Sequence, residues 1–116
     1  MKLIVRLQKG FSMKIIGITA CPTGIAHTYM AQECLEKELE KRGIEGKIET
    51  QGGLGIENEL TEDDINSADV VILAVSVVIE GEERFAGKKV INTDVNEAIS
   101  NTVNLVDRAI QLAKGK

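Results

Sequence analysis

The stretch ITACPTGIAHT, residues 18–28, gathers the scarcest reactive side chains of the chain. The 116 residues include two cysteines, one histidine and one proline, and three of these four fall within seven positions: Cys21, Pro22 and His27. A cysteine attacks only as its thiolate. Thiolates are favoured beside helix N-termini, where cysteine pKa values are roughly 3.5–7.5 rather than 8.5. An apolar run ends at Cys21 and a helical pattern follows, so a loop of about six residues points successive N–H groups, and the positive end of a helix dipole, at one place. Such a loop cradles anions, phosphate above all. Gly24 lets the backbone turn and approach a ligand, and Thr23 and Thr28 offer hydroxyl donors. His27 sits at the helix start, where the dipole disfavours a positive charge, and is expected as a neutral, hydrogen-bond-donating imidazole. Cys21 is then a nucleophile held where a phosphoryl group would sit. Cys34, on an apolar helix face, is expected to pack as a small hydrophobe.

The flanking patterns supply the elements that must position this loop. MKIIGITA (13–20) is a short β-branched run and predicts a buried strand. TYMAQECLEKELEKRG (28–43) predicts a helix with Ala31, Cys34, Leu35 and Leu39 on one face and Gly43 as its stop. GKIETQ (46–51) predicts a second strand, ended by Gly52-Gly53. TEDDINSA (61–68) opens with a capping box, Thr61 with Asp64, and predicts a short helix. DVVILAVSVV (69–78) and KKVINT (88–93) predict the third and fourth strands. Asp94 with Glu97 marks another helix start. Beyond it Ile99, Val103, Val106, Ala109, Ile110 and Ala113 recur at a helical period, with a break expected at Ser100-Asn101-Thr102.

Continuous apolar strands alternating with helices predict a parallel sheet covered on both faces. Right-handed crossovers leave few topologies. The expected fold is α/β: an open four-stranded parallel sheet, order 2-1-3-4, with helices on both faces and the phosphate-binding loop after strand 1. Ligands of such sheets sit beyond the carboxyl ends of the strands, where the winding reverses. Here that point falls at Cys21. Residues 1–12, MKLIVRLQKGFS, stand apart as a leader or extension, and residues 13–116 form the domain. The leader lacks the long apolar block and cleavage site of a secretory signal.

Composition removes several classes of function. The net charge is −4; three of the 14 basic residues (Lys2, Arg6 and Lys9) belong to the leader, leaving 11 against 18 acidic residues, or −7. Its aromatic residues are Phe11, Tyr29 and Phe85. A nucleic-acid binder needs positive charge for counterion release and aromatic platforms for stacking. No apolar run approaches the roughly 18 residues of a membrane span. Two cysteines thirteen apart form neither a redox pair nor a zinc site; no metal or cofactor is expected. The acidic run ENELTEDD (57–64) is expected to be a solvated face with capping acids.

Two family resemblances bear on the loop. Cys21, five residues, then His27-Thr28 is similar to the pattern of low-molecular-weight protein tyrosine phosphatases, in which arginine stands where this chain has His27. That arginine clamps the phosphoryl group bidentately, which histidine cannot do, and no acid for the leaving group is evident. A more extensive resemblance, over residues 13–113, is to the fructose-type enzyme IIB of the bacterial phosphoenolpyruvate-dependent sugar phosphotransferase system. ACPTGIAHTYMA (20–31) resembles that family's phosphorylation loop, IETQGGLGIENELT (48–61) its second hallmark, and RFAGKKV (84–90) a third.

The IIB resemblance implies that Cys21 accepts a phosphoryl group from a phosphohistidine of enzyme IIA and passes it to a sugar held by the membrane permease, enzyme IIC. Pro22, Thr23, Gly24, Ile25, Ala26, His27 and Thr28 would bind the phosphate. Ile25 and Ala26, the apolar residues nearest the site, have two readings of equal weight: anchors for a partner, or packing under the helix. Cysteine usage and composition point to a cytoplasmic address; the resemblance adds the inner face of the membrane, through the permease, and fructose as the default sugar, with a mannosyl-glycerate-like substrate as the alternative. The chain departs from the family at Ser76, where related sequences often carry an acidic residue.

Overall fold

A computed structural model of the chain describes residues 13–21 and 25–115. The expected leader, residues 1–12, and Pro22, Thr23 and Gly24 of the expected cradle lie outside the described residues, as does the side chain of Ile25. The elements run β1 (Lys14–Ala20), α1 (Ile25–Lys41), β2 (Glu45–Gly52), β3 (Gly55–Glu57), α2 (Glu62–Ser67), β4 (Val70–Val75), a 3₁₀ turn (Glu82–Phe85), β5 (Val90–Thr93), α3 (Val95–Ser100) and α4 (Thr102–Ala113).

They form one five-stranded sheet in the order β3-β2-β1-β4-β5. The four parallel strands, counted among themselves, stand in the expected order 2-1-3-4. The expectation of four strands is corrected by β3, which pairs antiparallel to the end of β2, Thr50 opposite Glu57 and Gly52 opposite Gly55. This strand is three residues long and exposed throughout, so no hydrophobic alternation announces it. Two boundaries differ by three residues each. The third predicted strand stops at Val75 rather than 78. Helix α1 begins at Ile25 rather than 28, so Ile25 to Thr28 form its first turn and not a loop.

The winding reverses at β1, whose two neighbours are β2 and β4. Right-handed crossovers in opposite directions place their helices on opposite faces. Ile15, Ile48, Val70, Ile72 and Ala74 form a core with Ala31, Leu35 and Leu39 of α1 and with Ala98, Leu105, Val106 and Ala109 of α3 and α4. Ile16, Ile18, Ala20, Val71 and Leu73 face the other way, against Leu60, Ile65 of α2 and Phe85 of the 3₁₀ turn. The expected break in the last helix lies at Asn101, which leaves helical geometry with φ −136° and ψ 41°.

Strand β2 departs from the apolar pattern on one face. Ile48 enters the α1 side, but Lys47, Glu49 and Gln51 point to the other and each takes a polar partner. Lys47 Nζ lies 2.9 Å from Asp64, Glu49 pairs with Arg84, and Gln51 binds the backbone of Glu80. Asp64 therefore does more than cap α2 within the acidic run. It completes the box with Thr61 and also meets Lys14 and Lys47. The Thr61 N–H, then the Lys47 ammonium, hold its carboxyl well below the usual carboxylate range despite partial burial.

Candidate functional site

Cys21 is the first residue beyond β1, at the carboxyl edge of the sheet and at its switch point. It is half-buried, as is Cys34, and no disulfide joins them. Backbone pairing fixes the end of its strand on both sides. Ala20 is in register with Gln51 of β2 and Val75 of β4, and the Ser76 N–H donates to Ala20 O at 2.9 Å.

Helix α1 begins four residues after Cys21. Its first turn carries no acidic side chain and its last carries Lys41, so the charges reinforce a positive amino end. Thr19 Oγ1 donates to Thr28 O at 3.0 Å, tying this turn to β1. Thr28 is buried, and its hydroxyl lies 3.7 Å from where a Cβ on Gly52 would stand, so it faces the end of β2. Ala26 and His27 are exposed.

Three segments far apart in sequence meet around Cys21. A cleft of about 360 Å³ is lined by Cys21, by Gln51, Gly52 and Gly53, by Gly55 and Ile56 of β3, and by Val77, Val78 and Glu80 from the segment after β4. Gly55 holds φ +90°, a region open to glycine, as it enters β3. Tyr29, in the second turn of α1, hydrogen-bonds through its hydroxyl to Glu57, joining the helix to β3. The carboxylate of Glu57 holds that phenol above its ordinary value.

The wall after β4 rests on a polar network that sequence patterns do not reveal. Gln51 Nε2 donates to Glu80 O at 2.9 Å, and the Glu80 N–H donates to Gln51 Oε1 at 2.9 Å. Glu49, wholly buried, accepts from Gln51 Nε2 at 2.7 Å, from the Leu60 N–H at 2.9 Å and from Arg84 at 3.0 and 3.1 Å. Burial pushes its carboxyl up, but the Arg84 guanidinium, the Gln51 amide and the Leu60 N–H outweigh it and leave it lowered. The available signal was a charged residue inside KIETQ, between apolar and β-branched neighbours.

Fold and site together define a class: an open, doubly wound α/β domain with a cysteine at the carboxyl edge of its central strand, four residues before a helix begins. A protein-family model described as "PTS system, Lactose/Cellobiose specific IIB subunit" matches residues 16–108. The chain belongs to the IIB family of the sugar phosphotransferase system, and its relatives are of the fructose type. It is similar to the "PTS system fructose-like EIIB component 2" of Escherichia coli, 54% identical over 86 residues, which are 74% of this chain and 81% of that protein. The "PTS system fructose-specific EIIB'BC component" of Vibrio cholerae is 44% identical over 101 residues, 87% of this chain but 17% of that longer protein.

Solved structures agree. A crystal structure of a domain from the fructose-specific IIABC component of Borrelia burgdorferi superposes with a TM-score of 0.82 at 47% identity, covering 86% of this chain and 95% of that one. The solution structure of the enzyme IIB subunit of the Escherichia coli system gives 0.83 at 39% identity, covering 90% and 97%. Among the described residues, no helix is long and apolar enough to cross a membrane.

Proposed function

We propose that the protein is a phosphoryl carrier, working through a phosphocysteine at Cys21. The observation that supports this most is the placement of Cys21, at the switch point of the sheet, four residues before α1 begins and on the cleft shared with the Gln51–Ile56 hairpin. The positive helix end favours the thiolate and the incoming phosphate alike. In the first step the Cys21 Sγ attacks the phosphorus of a phosphohistidine on enzyme IIA. A P–S bond forms, the P–N bond breaks, and the donor imidazole leaves with the bonding pair. In the second step a sugar hydroxyl oxygen attacks the same phosphorus, the P–S bond breaks, the hydroxyl proton passes to a base on the acceptor side, and the thiolate is restored. The sugar would be held by the permease, enzyme IIC, with the carrier at the inner face of the membrane. The names of the relatives point to fructose or a fructose-like sugar.

His27 at the position of a phosphatase arginine suits a carrier. Phosphoryl transfer is mostly positioning and charge stabilisation. A cradle of N–H groups without a guanidinium clamp holds the phosphate while giving water little help. The remainder of the transition-state apparatus would come from each partner in turn. Pro22 to Thr28 are the residues proposed to hold the phosphate.

The test is labelling from phosphoenolpyruvate in the presence of the general phosphotransferase components. Cys21→Ser is expected to take no label, and Cys34→Ser to be labelled like the parent. An acid-labile phosphoramidate on His27 in place of a thiophosphate would overturn the assignment.

A further inference from the structure

We propose that Gln51 is a positioning residue for phosphoryl transfer at Cys21, clamping the segment after β4 into the wall of the cleft. The inference rests on the carrier reading. β4 ends at Val75, and the chain then leaves the sheet with Val78 95% exposed, so the ladder does not hold residues 77–80. Gln51 does. Its amide exchanges two hydrogen bonds with the backbone of Glu80, as one residue of a strand does with its neighbour.

An amide could bind in either orientation, and Glu49 decides which. An ionised carboxylate only accepts, so the end of Gln51 that lies 2.7 Å from Glu49 Oε2 must be its Nε2. Glu49 is in turn held by Arg84, whose Nε donates to Gly81 O at 2.7 Å and whose Nη2 donates to Glu80 O at 3.2 Å. Glu80 is thus held by both Gln51 and Arg84, and Gly81 by Arg84. A buried ion pair is weak evidence for stability, since apolar replacements often serve as well. Here it sets the direction of one amide beside the reacting sulfur. The segment it holds supplies Val77, Val78 and Glu80 to the cleft that contains Cys21. In-line transfer is sensitive to misplacement on the scale of an ångström.

The experiment compares the parent with Gln51→Met, which loses both bonds at similar length, and Gln51→Glu, which cannot donate to Glu80 O and sets a second carboxylate beside Glu49. Three quantities are read: amide hydrogen exchange at Glu80 and Leu60, the melting temperature, and single-turnover transfer from phosphorylated enzyme IIA at increasing donor concentration. Gln51→Met is expected to speed exchange at Glu80 while Leu60 stays protected. Its maximal transfer rate should fall about tenfold to a hundredfold, with the half-saturating donor concentration and melting temperature nearly unchanged. Gln51→Glu keeps an acceptor for the Glu80 N–H but loses the donation to Glu80 O, so its transfer rate should fall while Glu80 stays protected, and it carries the rate comparison if the methionine variant does not fold. A Glu80 amide that stays protected in Gln51→Met, or an unchanged transfer rate in both variants, would overturn the inference. So would a rate lost only together with protection at Leu60, the signature of general loosening. A parent protein that takes no phosphoryl group on Cys21 would overturn the carrier reading itself, a failure visible before any variant is made.

Discussion

Cys21 and Cys34 share a residue type and partial burial but not a setting. Cys34 lies within a helix. Cys21 is the first residue beyond the central strand of the sheet, four residues before α1 begins. With His27 where a phosphatase has arginine, turnover of p-nitrophenyl phosphate should be far below that of a tyrosine phosphatase. Robust hydrolysis that disappears in Cys21→Ser would favour the hydrolase reading instead. A second residue-scale prediction concerns Asp64, whose carboxyl is lowered from 3.8 by the Thr61 N–H and by Lys47. A carboxyl lowered by folding contributes stability that is fully present above its unfolded pKa and is lost as pH falls through the folded one. Asp64→Asn should therefore destabilise at pH 7, by about 1–2 kcal/mol. It should also flatten the decline in stability seen as pH falls below about 3.8. Urea denaturation across that range checks both, and a parallel decline in parent and variant would contradict the second.

At the scale of elements, β1 is the member most constrained from both sides, and Gly17 shows how tightly. A Cβ there would stand 2.6 Å from the carbonyl oxygen of Ile72 on β4 and 3.3 Å from Ile48 Cδ1 on β2. The carbonyl belongs to the ladder and cannot swing away. Gly17→Ala should cost about 1–3 kcal/mol, the range for overpacked cores. It should lower the melting temperature by several degrees, at about 4–8 °C per kcal/mol. An unchanged melting curve would show that β4 can shift. Because Cys21 continues this strand, the variant should also slow phosphoryl transfer. The short β3 belongs at this scale too, since its pairing with the end of β2 carries Gly55 and Ile56 to the cleft.

For the whole molecule, the carboxyl edge of the sheet is the surface that any donor must reach. On the proposed function, enzyme IIA has to bring its phosphohistidine within about 3–3.5 Å of the Cys21 sulfur. Leu54 and Val78 are 65% and 95% exposed, and Ile56, on the cleft wall, is 39% exposed. These are larger apolar contacts than Ala26, which the sequence suggests as an anchor beside Ile25. On the same proposal the encounter must be brief, since the edge would next serve the permease, and such contacts bury less than about 1,200 Å². NMR titration with enzyme IIA should shift residues 26–28, 51–56 and 76–80. Leu54→Ser and Val78→Ser should raise the half-saturating donor concentration without slowing the maximal rate. Shifts confined to α4 would show that the donor docks elsewhere.

The sequence by itself determined what local patterns can carry. Apolar β-branched runs, caps at Thr61 and Asp94, and the weak helix former Asn101 placed the principal strands and helices, and the winding rule then put Cys21 at the switch point. The family was legible in the residues around Cys21 and in ETQGG. The tertiary structure decided what depends on distant partners. β3 has no periodicity of its own and exists because the end of β2 offers it an edge. Helix α1 starts earlier than its apolar stripe, because the stripe records only the turns that face the core. Glu49 reads as a solvent-facing acid in any strand, yet it is wholly buried, since Arg84, 35 residues away in sequence, reaches it across the sheet. A side chain's charge is written in the sequence, but whether that charge meets water or a guanidinium is settled only when the chain has folded.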